Sequence, residues 1–378
     1  LEAALALHSL AADRVSVELV APESEFVYRP LAVAEPFRVA DVRTFPLGRL
    51  AEATGATLHQ GVVKGVDCDL CLVTTASGEQ LSYDVLVLAL GARPIEAFPG
   101  ALTFTGPKSG PALAAVLNDA VSGEIERIVF AIPPGASWPM PLYELALLTQ
   151  AYLVDRGAGS VSVALVTPEA SPLDLFGRQV GEVLAELLEE RGIDLRTSTR
   201  PLAFLGGSLE VHPPGGLQAD RVVALPWLEG PPLYGIRQDQ HGFVEVDEHG
   251  AVLGEDAVYA AGDLTSFPVK QGGIAAQQAD AAAEAIAARA GADLEPTPFR
   301  PVLRGILLTG MEPRFLRREG EGSLVDTEPL WWPPAKIVGR FLAPFLAEHL
   351  GLSASLAERN RRGIPVELEL SPRSVRSG

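Results

Sequence analysis

The sequence predicts an α/β protein with parallel sheets, because apolar strands alternate with helices in two separate stretches. In one stretch, a short apolar strand at residues 257–261 leads through a tight turn at Asp263 into an alanine-rich helix. In the other, strands at residues 125–132 and 161–166 are each followed by a helix. Open parallel sheets bind ligands beyond the carboxyl ends of their strands. We therefore expect a ligand site beside Asp263.

Bulk properties exclude several classes of protein. At 378 residues the chain is too long for one ordinary core. Its net charge of -18 argues against binding to nucleic acid and against electrostatic attraction to anionic lipid. No apolar run reaches the roughly 18 residues that a membrane span needs. Its two cysteines form no disulfide framework, so we expect a reducing, cytoplasmic setting, either free or peripheral at the inner membrane face.

The first residues predict a helix followed by a strand at residues 15–20, which is the second half of a strand-helix-strand unit. The strand and the G-x-G-x-x-G turn that precede such a helix are not in the sequence. We therefore expect that the sequence is truncated at its N-terminus, or that its numbering begins after an unrecorded segment. The acidic residue expected at the end of the second strand is replaced by Ala21, and Glu23 is the candidate substitute that holds an adenosine ribose.

The A-G-D triplet and the helix after it resemble the second FAD-binding signature of the two-dinucleotide-binding-domain flavoproteins, the pyridine nucleotide-disulfide oxidoreductase family. The resemblance implies that Asp263, after Gly262, holds the ribityl and pyrophosphate part of FAD. The segment L-G-A-R-P resembles the family's A-T-G-x-x-P element, which implies that Gly91 and Ala92 pass close to FAD. The implied fold is two Rossmann-like dinucleotide-binding domains with a C-terminal extension.

Two further segments resemble particular branches of this family. The segment F-V-Y-R-P-L resembles type II NADH dehydrogenases and sulfide:quinone reductases, which implies that Arg29 and Pro30 lie near the flavin. The segment K-Q-G resembles the K-x-G of sulfide:quinone reductases, which implies that Lys270, followed by Gly272 and Gly273, stabilises the anionic reduced ring. Residues 277–278 resemble the A-Q-x-A element of type II NADH dehydrogenases near the flavin and quinone site, with a solvated helix face as the alternative.

The segment G-A-S-W-P-M-P-L-Y-E at residues 135–144 resembles G-A-S-C-x-x-P-x-Y-E of sulfide:quinone reductases. In that family the Cys is a catalytic thiol, but this chain has Trp138 there and no Cys after Cys71. Sulfide chemistry needs thiolates, so the resemblance implies a relative without it. Trp138 is expected to pack above the flavin or at the domain seam. Glu144 is expected to approach the flavin edge as a catalytic group, or else to be an exposed carboxylate in the first helical turn.

Two other motifs argue against further ligands. Residues 133–135, P-P-G, stand where the second unit would carry its glycine fingerprint, and proline has no N–H to donate to a pyrophosphate. This weakens the case for NAD(P). Cys68 and Cys71 form a C-x-x-C in a predicted hairpin turn, beside acidic residues that raise a thiol pKa, and no second pair of zinc ligands follows. We therefore expect these cysteines to pack at the surface, and we predict no metal site.

The C-terminal extension carries an amphipathic stretch at residues 328–350. Its apolar side chains fall on one predicted helix face and could rest on a membrane, cover a quinone entrance, or form a domain or homodimer contact. These side chains are Ile337, Phe341, Leu342, Phe345 and Leu346, beside Trp331 and Trp332. The predicted domains are the first part of the FAD-binding domain (1–103), an NAD(P)-binding-like domain (104–235), the second part of the FAD-binding domain (236–298) and the extension (299–378).

The resemblance implies an FAD-dependent oxidoreductase that passes electrons from a small donor through the flavin to an acceptor such as a quinone. Two alternatives stay open. One is an NAD(P)H dehydrogenase with a non-standard nucleotide loop, which rapid bleaching of the flavin by NADH would reveal. The other is a flavin-less relative without enzymatic activity, which the absent G-x-G-x-x-G and Ala21 favour and Asp263 and Lys270 oppose.

Overall fold

The computed structural model describes residues 1–349, and residues 350–378 of the predicted extension lie outside them. The predicted α/β class is confirmed, since helices alternate with parallel strands. Within the described part, the helices are α1 (Glu2–Ala11), α2 (Leu47–Thr54), α3 (Gly110–Ser122), α4 (Met140–Asp155), α5 (Arg178–Glu190), α6 (Gly272–Arg289) and α7 (Leu342–His349). The strands are β1 (Glu18–Ala21), β2 (Glu25–Tyr28), β3 (Arg43–Pro46), β4 (Thr57–Gln60), β5 (Val63–Asp67), β6 (Leu72–Thr75), β7 (Gln80–Ser82), β8 (Leu86–Leu88), β9 (Arg93–Ile95), β10 (Leu102–Thr103), β11 (Arg127–Ala131), β12 (Ser162–Val166), β13 (Asp194–Arg196), β14 (Arg200–Leu205), β15 (Ser208–His212), β16 (Gly215–Gln218), β17 (Arg221–Ala224), β18 (Trp227–Glu229), β19 (Val258–Ala260), β20 (Val302–Leu307), β21 (Arg314–Glu319) and β22 (Gly322–Asp326).

A five-stranded parallel sheet forms the larger unit, in the order β10-β17-β11-β12-β13. Strand β11 pairs with β12 so that Arg127 faces Ser162 across the sheet. Both strands are apolar and buried on both faces, as parallel strands must be when helices cover the sheet. Four of its strands lie within the region predicted as the second domain, in the predicted order, while β10 lies just before the predicted boundary at residue 104. The domain boundaries themselves stay predictions.

The smaller unit is assembled from distant parts of the chain. Strand β8 pairs in parallel with β19, and β1 pairs in parallel with β4. Helices α1 and α6 pack on each other through small and branched side chains, among them Ala6, Ala282 and Ile286. Because alanine has a short side chain, the two helices approach closely. The chain crosses between the units along β9 and β18, which are antiparallel and joined by an ion pair between Arg93 and Glu229 at 2.8 Å.

The C-terminal part makes a contact within the chain, one of the alternatives that its amphipathic pattern left open. Its apolar side chains pack against the N-terminal part of the chain. Leu342 and Leu346 are buried in a cluster with Leu5, Phe45 and Leu50, and the partly buried Ile337, Phe341 and Phe345 pack on the same cluster. The amphipathic pattern correctly indicated a buried face, but the partner is α1 and α2. Within residues 1–349, no helix combines the length and the apolar composition needed to cross a bilayer.

A buried carboxylate fixes the start of α7. Glu2 is almost fully buried, and its oxygens accept hydrogen bonds from the backbone N–H groups of Phe341 at 2.7 Å and Leu342 at 2.8 Å. These donors would otherwise be unpaired at the helix N-terminus. Asp280 lies beside Glu2, and burial, followed by the nearby charge of Glu2, raises the pKa of Asp280 to about 9. Arg340 opposes this shift. Asp280 is therefore protonated in the folded protein near neutral pH.

Replacing Asp280 with Asn should stabilise the protein at neutral and alkaline pH. A carboxyl whose folded-state pKa is raised contributes stability at low pH, and that contribution is lost as the pH rises from about 4 toward about 9. Asn has a similar size and needs no proton, so the free energy of unfolding of Asp280→Asn should fall less over this window. Urea unfolding across that pH range measures the difference, with Asp155→Asn as an exposed control. An equal or steeper fall in Asp280→Asn would contradict the protonation of Asp280 in the folded protein.

Candidate functional site

A large cavity lies where the two units meet. Its volume is about 1720 Å³, and its walls come from β1, β8, the turn after β19, the start of α6 and the first turn of α4. Pockets for drug-sized ligands have volumes of roughly 300–1,000 Å³. The cavity therefore has room for a dinucleotide together with a second small molecule.

Most of the residues predicted to bind a cofactor line this cavity. They are Glu23, Arg29, Pro30, Ala92, Asp263, Lys270 and Gly272. Gly91, Gly262 and Gly273 do not line it, although each is adjacent in sequence to a residue that does. The two predicted catalytic residues, Glu144 and Lys270, line the same cavity. The roles of all these residues stay predictions. The fold brings the predicted cofactor-binding and catalytic residues together from four separate segments of the chain.

Asp263 enters the cavity from the turn after β19. The preceding Gly262 has a φ of 78°, in the left-handed region that favours glycine, and its N–H donates to Oε1 of Gln278 at 2.8 Å. Burial raises the pKa of Asp263, whereas the charges of Lys270 and Arg29 lower it. The carboxyl is thus held in a fixed turn between two cations, where it can accept hydrogen bonds from a polyhydroxyl chain.

Lys270 is a buried cation on the same side of the cavity. Its Nζ donates to the backbone carbonyl of Thr265 and lies 3.8 Å from the centroid of the Phe243 ring, a favourable cation–π distance. Burial lowers the pKa of Lys270 to about 8, although the carboxylates of Asp263 and Asp239 raise it. Near neutral pH this ammonium is therefore charged, but it loses its proton far more readily than an exposed lysine does.

The glycines and glutamines of α6 have structural roles that the sequence did not reveal. A Cβ on Gly272 would lie 2.8 Å from Cγ1 of Ile337, so this glycine makes room for the chain itself rather than only for a ligand. Gln278 is buried and bonded to Gly262, and Gln277 bonds the backbone N–H and carbonyl of Val302 at 2.8 and 2.9 Å. Neither glutamine lines the cavity or forms a solvated face, which corrects both readings of residues 277–278.

Glu144 forms a buried ion pair at the other end of the cavity. Its side chain is 2% exposed, Lys336 donates to its Oε1, and the N–H of Leu308 donates to the same oxygen at 2.9 Å. The alternative of an exposed carboxylate is therefore wrong. Burial raises the pKa of Glu144, while the ammonium of Lys336 lowers it. The carboxyl can thus hold or release a proton close to a bound molecule.

Lys336 is the site residue that sequence analysis missed. It lies in a segment without a motif, W-W-P-P-A-K, and the only signal was a lone cation among apolar residues. Two bonds fix this segment: Nε1 of Trp331 donates to the carbonyl of Ala335 at 3.1 Å, and the N–H of Ile337 donates to the Tyr28 hydroxyl at 3.0 Å. The segment therefore crosses the cavity as a fixed strap.

The start of α4 does not suit a nucleotide phosphate. Pro139 and Pro141 have no N–H, and the N–H of Leu142 is already bonded to the carbonyl of Pro139 at 3.0 Å. A helix N-terminus binds phosphate through free N–H groups, and most of them are removed here. The expected weakness of NAD(P) binding thus extends beyond residues 133–135 to the helix itself.

The acidic residue that follows β12 already accepts hydrogen bonds from other side chains and from the backbone. Glu169 stands where a dinucleotide-binding unit places the carboxylate that holds the adenosine ribose. Its Oε2 accepts from the hydroxyls of Tyr143 at 2.7 Å and Thr167 at 2.8 Å, and its Oε1 accepts from the N–H of Asp174 at 3.2 Å. Burial raises its pKa. These bonds occupy acceptor positions that a nucleotide ribose would use, which adds to the case against NAD(P) made by residues 133–135.

The two cysteines lie in the predicted hairpin turn, between β5 and β6. Burial and, next, the carboxylate of Glu255 raise the pKa of Cys68 to about 11. Its thiol is therefore protonated at neutral pH and is a poor nucleophile. Among residues 1–349, no group of three or more His, Cys, Asp or Glu side chains is arranged to hold a metal ion.

Replacing Lys336 with Met should destabilise the protein by about 3–5 kcal/mol, because the carboxylate of Glu144 is then buried without its partner. The double variant Glu144→Gln, Lys336→Met should recover much of this loss, since Gln leaves no buried charge. Urea unfolding of the wild type, both single variants and the double variant gives the coupling energy. Lys108→Met, at an exposed lysine, is the matched control. Additive effects of the two changes would show that the pair does not interact.

Comparison with known proteins finds a family that matches part of the chain. Residues 144–286 match the family described as pyridine nucleotide-disulphide oxidoreductase. An NADH dehydrogenase-like protein of Mycobacterium tuberculosis is 26% identical over 249 residues, with 58% of this chain and 58% of that protein covered. The chain thus spans little more than half the length of the curated relatives it matches.

Solved structures share the fold. The sulfide:quinone oxidoreductase of Aquifex aeolicus superposes with a TM-score of 0.77 at 18% identity, over 86% of this chain and 83% of that one. A ferredoxin reductase of Rhodopseudomonas palustris gives 0.63 at 17% identity, over 85% and 80%. The size of the cavity and the charged groups on its wall fit FAD, the cofactor that the sequence resemblance implies. The predicted resemblance to the pyridine nucleotide-disulphide oxidoreductase family is thus confirmed for residues 144–286, the part of the chain that matches.

Proposed function

We propose that this chain is an FAD-dependent oxidoreductase that passes electrons from a small donor to a quinone-type acceptor. One observation carries the proposal: a single continuous cavity contains both the Asp263–Lys270 pair and the Glu144–Lys336 pair. The first pair suits a bound dinucleotide and the second suits a molecule that exchanges protons. The fold shared with a sulfide:quinone oxidoreductase supports it.

The residues near β1 and β19 would hold the cofactor. Glu23 follows β1, where an adenosine ribose is bound in this kind of fold, and Asp263 would accept hydrogen bonds from the ribityl hydroxyls. Arg29 supplies a positive charge for the pyrophosphate. Lys270 presents its ammonium where negative charge develops on reduction. When bound, FAD supplies a ring that takes up two electrons and gives them to an acceptor.

The other end of the cavity would handle protons. A quinone that accepts two electrons also takes up two protons, so it needs a proton donor within reach. Glu144 lines the cavity, and its pKa is raised by burial and lowered by Lys336, so it is the candidate group that would exchange a proton with the acceptor. Lys336 is less buried, with 11% of its side chain exposed, and its ammonium would hold the Glu144 side chain in place beside the acceptor.

The absorption spectrum of the purified protein tests the cofactor. The wild-type chain should show the visible bands of oxidised flavin. Asp263→Ala should lose most of them, because the carboxyl that faces the cavity is removed. Asp155→Asn, an exposed aspartate at the end of α4, should keep them. A colourless wild-type protein that also fails to bind added FAD would contradict the proposal and favour the flavin-less alternative.

An NAD(P)H dehydrogenase is the second candidate, favoured by the NADH dehydrogenase-like relative. The prolines at the start of α4 and the fully bonded Glu169 oppose it. We therefore expect NADH to bleach the flavin slowly or not at all in anaerobic stopped-flow mixing, and Glu169→Gln to leave that rate unchanged. Rapid bleaching that saturates with NADH would instead establish the dehydrogenase. Sulfide should also fail to bleach the flavin, because Trp138 provides no thiolate.

A further inference from the structure

Trp138 occupies a wall of the cavity at the junction of the two units. It lies in the loop between β11 and α4, is half-buried, and lines the cavity. Its ring packs edge-on against Phe176, with ring centroids 5.9 Å apart. This contact anchors one edge of the indole in the core and fixes the ring in place.

The indole N–H of Trp138 has no acceptor among residues 1–349. Of the other three tryptophans, Trp227 donates to Pro134 at 3.0 Å and Trp331 to Ala335 at 3.1 Å, whereas Trp332 makes no such bond within the described residues. Because Trp138 is half-buried and lines the cavity, its N–H can be bonded by a molecule held there. The Trp138 side chain thus offers the cavity both an aromatic surface and an available hydrogen-bond donor.

The neighbouring walls define what chemistry would fit. Met140, Ile306 and Ile337 line the same cavity with apolar side chains, and Glu144 and Lys336 supply the polar groups. Apolar walls together with a few convergent polar groups are typical of a small-molecule site. A flat ring with carbonyl oxygens matches this set, because its faces are apolar and its oxygens accept from N–H donors.

We propose that Trp138 determines specificity for the electron acceptor, by contacting a flat, carbonyl-bearing ring with its indole face and donating its N–H to a carbonyl oxygen. This inference rests on the proposed function, since it concerns the acceptor of that reaction. Trp138 stands where sulfide:quinone reductases have a Cys, and in this chain that position would bind the acceptor instead of reacting with sulfide. Trp138 exchanges no electrons or protons, and its effect is on binding.

The test compares two acceptors and two variants. The flavin of the holoprotein is reduced with dithionite, and its reoxidation is followed by stopped flow with menadione, a flat quinone, or with ferricyanide, which has no ring to stack. Trp138→Phe keeps a ring but loses the donor, and Trp138→Leu loses both. The half-saturating concentration of menadione should rise about threefold in Trp138→Phe and about tenfold in Trp138→Leu. Reoxidation by ferricyanide should stay unchanged in both.

A second measurement does not depend on turnover. Menadione should quench indole fluorescence in the wild type, and the saturable part of this quenching should disappear in Trp138→Phe. Trp227→Phe is the matched control, because it contacts the same loop but lies outside the cavity, and it should keep both the quenching and the affinity.

The outcomes separate this inference from the proposed function. A protein that binds no flavin overturns the proposed function, while the quenching experiment still tests Trp138. A flavin that is reoxidised by menadione with the same half-saturating concentration in Trp138→Leu as in the wild type overturns the inference alone. Thermal unfolding and the ferricyanide rate are the controls for folding of the variants. If both are unchanged, a higher half-saturating concentration of menadione reports the lost contact.

Discussion

The carboxylate of Glu144 is buried at the first turn of α4, where an isolated charge would cost several kcal/mol. Two distant segments offset this cost: the ammonium of Lys336 from the C-terminal strap and the N–H of Leu308 from the end of β20. The Glu144–Lys336 ion pair joins the larger unit to the C-terminal part of the chain. It also fixes one end of the cavity, so the position of the strap and the shape of the site depend on the same charge pair.

The two units differ in how well their strand ends suit a nucleotide, although both are built from parallel strands and helices. The smaller unit places Asp263 and Lys270 at the ends of its strands and leaves the space beside them open. The larger unit closes the corresponding places with proline and with hydroxyl groups bonded to Glu169. What the larger unit contributes to the site is instead the wall around Trp138 and Glu144. In our proposal this unit keeps its fold and shapes the cavity.

Local patterns in the sequence predicted much of this fold. The apolar runs around β11 and β12 and the alanine-rich stretch of α6 determine their own secondary structure, and the A-G-D turn fixes Asp263 at a strand end. Contacts between distant segments were not predictable, because no local pattern records them. Lys336 has no motif, and the bonds from Glu2 to the start of α7 join opposite ends of the described chain. The amphipathic pattern before residue 350 indicated a buried face, but could not show that α1 and α2 cover it.

The strap has a consequence for synthesis on the ribosome. The chain emerges from its N-terminus, so α4 and the five-stranded sheet are complete long before Lys336 has been added. During that interval Glu144 has neither its cation nor the N–H of Leu308, and the nascent larger unit must leave this carboxyl in contact with water or keep it protonated. The final packing around Glu144 therefore waits until the strap has left the ribosome, so this end of the cavity forms later than the sheet beside it.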